Sequence, residues 1–270
     1  MLYFEKPLYN TFGHQTDHNL QGDKMLQIRG LKYQVEEDGQ IKTIIDGLDL
    51  DIHEGRFTVI TGPNGGGKST LAKLIAGIIK PTEGSIILDG EDITEMSITD
   101  RARRGVSFAF QQPVKFKGLE VFDLLKIAAG KDSKLNFHDA CTYLSEVGLC
   151  AKDYINREVN ASLSGGELKR IEIATVLARG TKLTVFDEPE AGIDLWSFQN
   201  LTRIFENMRQ NIKDGSIVII SHQERILKVA DEIVVIANGK IKEQGEGSKI
   251  LPTLTGTADA VLPCNKFAEV

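Results

Sequence analysis

The sequence predicts an α/β fold: a mostly parallel core sheet fronted by an antiparallel β subdomain and interrupted by an inserted helical subdomain. Three observations predict it. Phe57-Thr58-Val59-Ile60 reads as a short buried strand, Gly62-Pro63-Asn64-Gly65-Gly66-Gly67-Lys68-Ser69-Thr70 as a glycine-rich phosphate-binding loop, and residues 71–79 as an apolar helix stopped near Pro81. Strand-like runs fill residues 26–52 ahead of that loop. Between residues 113 and 160 the apolar period becomes helical.

Composition narrows the function classes. Of the 270 residues 41% are hydrophobic, ample for a buried core. The net charge of −6 offers no basic field for nucleic acid or an anionic membrane, which leaves proteins and nucleotide as partners. No apolar run approaches the roughly 18 residues that would insert in a bilayer. The N-terminus also lacks a secretory leader pattern, so the expected location is cytoplasmic. Cys141, Cys150 and Cys264 are too few and scattered for a disulfide framework or a zinc site, and read as core or surface thiols.

In chain order, residues 1–24, with Tyr3, Phe4, Tyr9, His14 and His18, show no periodicity and read as an N-terminal extension to a domain at 25–250. Runs at 26–28, 32–35, 42–45 and 48–52 are broken by Glu36-Glu37-Asp38-Gly39 and Asp46-Gly47. Tyr33, the only aromatic in these runs, either stacks on an adenine through its π-face or is an ordinary half-buried strand tyrosine. In the loop, glycines from Gly62 onward let successive N–H groups face one anion, and the following helix adds its positive end. Lys68 then reaches the β- and γ-phosphates of ATP, and the Ser69 hydroxyl ligates Mg²⁺.

Residues 84–90 read as a strand and turn, and 101–105 as a charged helix end before a strand at 106–110. That strand delivers Gln111, whose amide oxygen suits Mg²⁺ or an attacking water. In the helical subdomain Val121, Leu124, Leu125, Ile127 and Ala128 share one face, and Ala140, Tyr143, Leu144 and Val147 another. His138 and Cys141 stand three apart, the spacing of half a metal site or of core packing, and packing is favoured because no second pair is near.

Ser164 and Glu167 form an S-x-x-E capping box, and Gly165-Gly166 inside it leave a second helix end open to an anion. Leu183-Thr184-Val185-Phe186 is a buried strand ending in Asp187 and Glu188, where acids are costly without cations or polar work. Asp187 suits Mg²⁺ and Glu188 suits a general base. Asp194 caps a helix at 195–211. A strand at 216–220 delivers His222 at its carboxyl end, where ligands of parallel sheets bind, whereas His53 sits in a β-run without companions. Asn238-Gly239 joins a final type I′ hairpin, and residues 251–270 read as an irregular tail.

Taken together, the Gly62 to Thr70 loop, Gln111, Leu163-Ser164-Gly165-Gly166-Glu167, Val185-Phe186-Asp187-Glu188, Ala191-Gly192-Ile193-Asp194 and His222 resemble the ABC ATPases. Their order matches that family's Walker A, Q-loop, signature, Walker B with catalytic glutamate, D-loop and switch histidine. The resemblance implies a P-loop (RecA-like) core and a transient ATP-dependent homodimer. In it Ser164, Gly165 and Gly166 of one copy cap the γ-phosphate held by Lys68 of the other.

Within the family, Phe110-Gln111-Gln112-Pro113-Val114, Asn156-Arg157-Glu158-Val159-Asn160 and Ser221-His222-Gln223-Glu224-Arg225-Ile226-Leu227 look like the SufC-type ATPases of iron–sulfur cluster assembly. That implies a SufB-like or SufD-like scaffold as partner; the alternative is a nucleotide-binding subunit of a membrane transporter. Asn160-Ala161-Ser162-Leu163, Pro189 and Ala191-Gly192 depart from the SufC pattern and imply a divergent Suf system. Lys169 is expected to pair with Glu188 in the resting monomer.

Overall fold

The computed structural model describes residues 23–130, 133–160, 162–211 and 215–256. The extension at 1–22, Ala161 and the tail from 257 with Cys264 lie outside the described residues. The chain begins with β1 (Lys24–Glu37), β2 (Gln40–His53), β3 (Phe57–Thr61), α1 (Lys68–Ala76), β4 (Glu83–Leu88), β5 (Glu91–Asp92), α2 (Ile98–Arg103) and β6 (Val106–Ala109). The helical subdomain holds α3 (Val121–Ala129), α4 (Phe137–Glu146) and α5 (Ala151–Tyr154), and leads into α6 (Gly165–Arg179). Then follow β7 (Leu183–Asp187), α7 (Leu195–Asn211), β8 (Ser216–Ile220), α8 (Glu224–Leu227), β9 (Glu232–Ala237), β10 (Lys240–Glu246) and α9 (Gly247–Thr255).

Two sheets result among the described residues. One has the order β2-β1-β4-β5 and is antiparallel. The other has the order β10-β9-β3-β8-β7-β6, parallel except for the β10 edge. Strands β3, β7 and β8 are buried along their whole length, as a sheet covered on both faces requires. Their side chains alternate between two cores. Phe57, Val59, Phe186, Ile217 and Ile219 pack with α3, α6 and α7, while Ile60, Val185, Val218 and Ile220 pack with α1 and the antiparallel layer.

The four expected β-runs are two long strands. Each has 14 residues, and register shifts near Leu31 bend β1 without ending it. The true break is the Asp38-Gly39 turn, where both residues have positive φ (52° and 74°). The helix expected at 71–79 begins earlier, at Lys68, and ends at Ala76. Gly77, in the left-handed conformation at φ 75°, returns its N–H to the last carbonyls before Pro81 can act. The final hairpin forms as expected, with Asn238 and Gly239 at φ 52° and 72°. The irregular tail is corrected in its first residues: α9 runs through Pro252, because Ile250, Leu251 and Leu254 anchor it on the core.

Arg101 also departs from its expected place on a charged helix end. It is fully buried at 0% exposure. Its guanidinium donates to the carbonyls of Leu74 (2.6 Å), Ile75 (2.8 Å), Thr94 (2.7 Å) and Met96 (3.3 Å). A cation thus closes the carboxyl end of α1, where orphan carbonyls and the helix dipole both favour it. Arg101→Leu leaves those carbonyls buried without donors and is expected to destabilise the fold by about 3 kcal/mol or more. The urea midpoint of unfolding measures it, and a shift under about 1 kcal/mol would contradict the capping role.

Candidate nucleotide site

The phosphate loop leaves the end of β3 and is pressed against the neighbouring strand. Gly62 has φ 134°, and a Cβ there would stand 2.0 Å from the Ile236 carbonyl oxygen of β9, so only glycine lets the loop settle. Lys68 opens α1 and folds back over the loop, its Nζ donating to the Gly62 and Pro63 carbonyls at 2.9 Å each. Burial lowers its pKa, against the opposing pull of Glu188 and Asp187. The ammonium is thus satisfied by two neutral carbonyls of its own loop.

At the carboxyl end of β7 the two expected acids separate. Asp187, 5% exposed, accepts a 2.8 Å hydrogen bond from Ser69 Oγ. Burial raises its pKa, the Glu188 charge raises it further, and the Ser69 bond opposes both. A buried carboxylate and a hydroxyl in contact form an all-oxygen donor pair of the kind that fits Mg²⁺. Glu188 turns away at φ 43°, a left-handed backbone uncommon for a residue with a side chain. Its N–H donates to the Ile220 carbonyl (3.0 Å), and its Oε2 accepts from Gln111 Nε2 (2.7 Å).

His222 follows β8 and is exposed, 3.4 Å from Gln223 Nε2 through its own Nε2. Beside it the buried Ser221 hydroxyl donates to Glu190, whose carboxyl burial pushes upward in pKa. Neither residue carries a motif of its own. Tyr33 is half-buried and packs on the core beneath the antiparallel layer, across the ladder from Ile45. Ile45 in turn abuts Gly67, where a Cβ would lie 2.7 Å from Ile45 Cδ1. Of the remaining loop residues, Asn64 and Gly65 are exposed, Gly66 is buried, and Thr70 lies half-buried within α1.

The capping box forms as expected. Ser164 Oγ accepts from the Glu167 N–H (3.2 Å), and Glu167 Oε2 from the Ser164 N–H (2.7 Å). Ser164 and Gly165 are exposed, and no hydrogen bond among the described residues joins Ser164, Gly165 or Gly166 to the phosphate loop. The glycine-flanked starts of α1 and α6 are therefore not joined by a hydrogen bond within one chain.

The expected Lys169–Glu188 pair is absent. Lys169, 1% exposed, donates instead to Glu172 Oε2 (2.7 Å) and to the Phe110 carbonyl (2.5 Å). Glu172 Oε1 accepts the Phe110 N–H at 3.2 Å. The reason is local: residues three apart on a helix face each other, so Glu172 reaches Lys169 first. The Lys-x-x-Glu spacing on α6 is the signal for it. Phe110 is thus gripped through its N–H and its carbonyl, directly before Gln111. Phe110 and Glu172 also line an apolar groove of about 220 Å³ together with Val114, Phe116, Leu124 and Ile127.

His53 is not alone in its strand: its Nδ1 lies 4.0 Å from Glu232 Oε2. His138 is exposed and Cys141 packs against the core, so the two do not share one environment.

A family model described as "ABC transporter" matches residues 45–191. An uncharacterized ABC transporter ATP-binding protein of Methanocaldococcus jannaschii is 37% identical over 215 residues, covering 77% of this chain and 85% of its own. The SufC protein of Escherichia coli K12, described as a probable ATP-dependent transporter, is 32% identical over 82% of this chain and 92% of its own. Among solved structures, a dimeric ATP-binding cassette in a post-hydrolysis state with ADP and Pi superposes with a TM-score of 0.72. It is 21% identical and covers 82% of this chain and 98% of its own, a likeness of fold.

The Asp187 shift sets a pH dependence. An acid whose folded pKa exceeds its ordinary value of about 3.9 carries no penalty when protonated, below about pH 4, and its full penalty above the folded pKa. Asp187→Asn is expected to match the parent in thermal midpoint near pH 4 and to exceed it at pH 7 without nucleotide, while losing MgATP turnover. Parallel midpoint-versus-pH curves for the two proteins would contradict the buried-charge assignment.

Proposed function

The chain belongs to the ABC transporter family as its ATP-hydrolysing cassette, and on that premise we propose that it is a SufC-like ATPase. In this reading it closes head to tail on a second copy around MgATP, and the motion reshapes a SufB-like or SufD-like scaffold on which iron–sulfur clusters are built. The observation that carries it is the division of labour within one chain. Lys68, Ser69, Asp187, Glu188 and Gln111 gather around α1, while Ser164, Gly165 and Gly166 stand at the start of α6 without a bond to them.

Each residue has a role in that cycle. Loop N–H groups and Lys68 hold the phosphates, and Tyr33 is the candidate for the adenine. Ser69, Asp187 and Gln111 would hold Mg²⁺, which would neutralise charge on the phosphate oxygens. Glu188 takes a proton from the attacking water, whose oxygen bonds the γ-phosphorus as the bond to the ADP oxygen breaks. His222, at the carboxyl end of β8 between β3 and β7, steadies the γ-phosphate. In the resting chain Gln111 covers the Glu188 carboxylate, so the base is free only after Gln111 moves.

SufC of Escherichia coli at 32% identity, together with the SufC-type residues at 156–160 and 221–227, supports the scaffold as partner. The groove beside Phe110 suits an amphipathic helix of such a partner. No helix among the described residues is long and apolar enough to cross a membrane, in keeping with a cytoplasmic subunit that is itself not inserted. The transporter alternative is favoured by the Methanocaldococcus jannaschii relative, which is described as an ABC transporter ATP-binding protein.

Co-purification from native extract is expected to recover a scaffold, and recovery of an integral membrane permease without one would reject the SufC reading. Glu188→Gln is expected to keep MgATP binding and to lose at least about a hundredfold in turnover, the scale of a removed general base. Lys68→Ala is expected to weaken nucleotide binding itself. Unchanged turnover in the first, or unchanged affinity in the second, measured by phosphate release and calorimetry, would contradict those roles.

A further inference from the structure

The start of α7 presents the most conspicuous apolar surface near the site. Trp196 is 76% exposed and Leu195 is 63% exposed, consecutive residues in the first turn. Water-facing tryptophan at this level is unusual for a side chain that removes about 150–250 Å² from water when buried.

Its position says what covers it. The first turn of α7 is packed on the first turn of α6: a Cβ at Gly166 would stand 2.5 Å from Ser197 Oγ, and one at Gly165 3.4 Å from the Gly192 carbonyl. Asp194 fixes this turn by accepting from the Trp196 and Ser197 N–H groups at 2.9 and 3.0 Å and from Ser197 Oγ at 2.7 Å. Leu195 and Trp196 are therefore held rigidly beside the open anion-binding end at Ser164 and Gly165. Among the described residues, Ser164 and Gly165 make no hydrogen bond to the phosphate loop of their own chain, and Leu195 and Trp196 stand on the turn packed beside them.

We propose that Leu195 and Trp196 form an apolar anchor for a second copy of this chain, buried when MgATP closes the pair. This rests on the head-to-tail reading above and extends it to residues outside every phosphate-binding motif. An interface with two-fold symmetry uses each contact twice, so both tryptophans are buried together. Rigid exposed tryptophans flanked by a polar rim are the side chains that dominate such interfaces. Here the rim is Asp194 and Ser164.

Trp196 is also the only tryptophan in the chain, which makes its emission a direct probe. The experiment uses the full chain carrying Glu188→Gln, with sedimentation and tryptophan fluorescence followed together as MgATP is added. The expected result is a red, water-exposed emission without nucleotide that shifts to the blue on MgATP, with the same protein-concentration dependence as dimer formation. Trp196→Ala is expected to weaken dimerisation about tenfold or more. Trp196→Phe should retain most of it, and neither should alter the affinity of the monomer for ATP.

A dimer that forms with unshifted emission, or that forms as tightly in Trp196→Ala, would overturn the anchor and leave the head-to-tail reading intact. Blue emission already in the nucleotide-free monomer would overturn it as well, since another part of the same chain would then cover Trp196. If MgATP produces no dimer at all, the head-to-tail reading fails and the anchor fails with it.

Discussion

Three acids, Asp187, Glu188 and Glu190, stand within four residues at the carboxyl end of one buried strand, and each is held by a neutral donor from a different part of the chain. Ser69 of α1 serves Asp187, Gln111 after β6 serves Glu188, and Ser221 after β8 serves Glu190. Like charges crowded at low dielectric repel, and burial raises Asp187 and Glu190 in pKa. Neutral donors hold these carboxylates in place without cancelling their charge. The rim of the sheet therefore keeps an unspent negative potential facing Lys68, whose own charge rests on carbonyls.

The second organising contact is the grip on Phe110. Lys169 and Glu172, one turn apart on α6, hold both polar groups of one peptide residue, and the next residue, Gln111, donates to the Glu188 carboxylate. The apolar groove has the same Phe110 and Glu172 in its wall. A body seated in the groove and a body pulling on the α6 end thus act on a single short chain of contacts. Packed groups of this kind shift between discrete arrangements, and for that reason a small displacement is passed on rather than absorbed.

Much of this was legible in the sequence where the chemistry is local. A glycine-rich turn into a helix, a capping box, the Asp194 cap and an Asn-Gly turn each need particular residues side by side, and each appears where the residues stand. What was not legible depends on distant neighbours. Asp46-Gly47 reads as a strand break, yet the paired strand carries the ladder past it. Arg101 reads as surface charge until the end of α1 supplies it with carbonyls from 26 and 27 residues away. Lys169 had a plausible acid in Glu188, and a nearer one on its own helix took it. The chain from residue 251 reads as an irregular tail, but the apolar contacts of Ile250, Leu251 and Leu254 carry α9 through Pro252 despite one missing N–H.

The left-handed backbone of Glu188 carries an evolutionary consequence. Holding a side chain at φ 43° costs on the order of 1 kcal/mol, which a glycine at the same position would recover. On the proposed role of Glu188 as general base, thermostability and turnover pull this residue in opposite directions. A copy of the gene released from its duty would drift toward glycine or asparagine here and become a sturdier, silent cassette, so the residue at this position marks whether a descendant still works for its living.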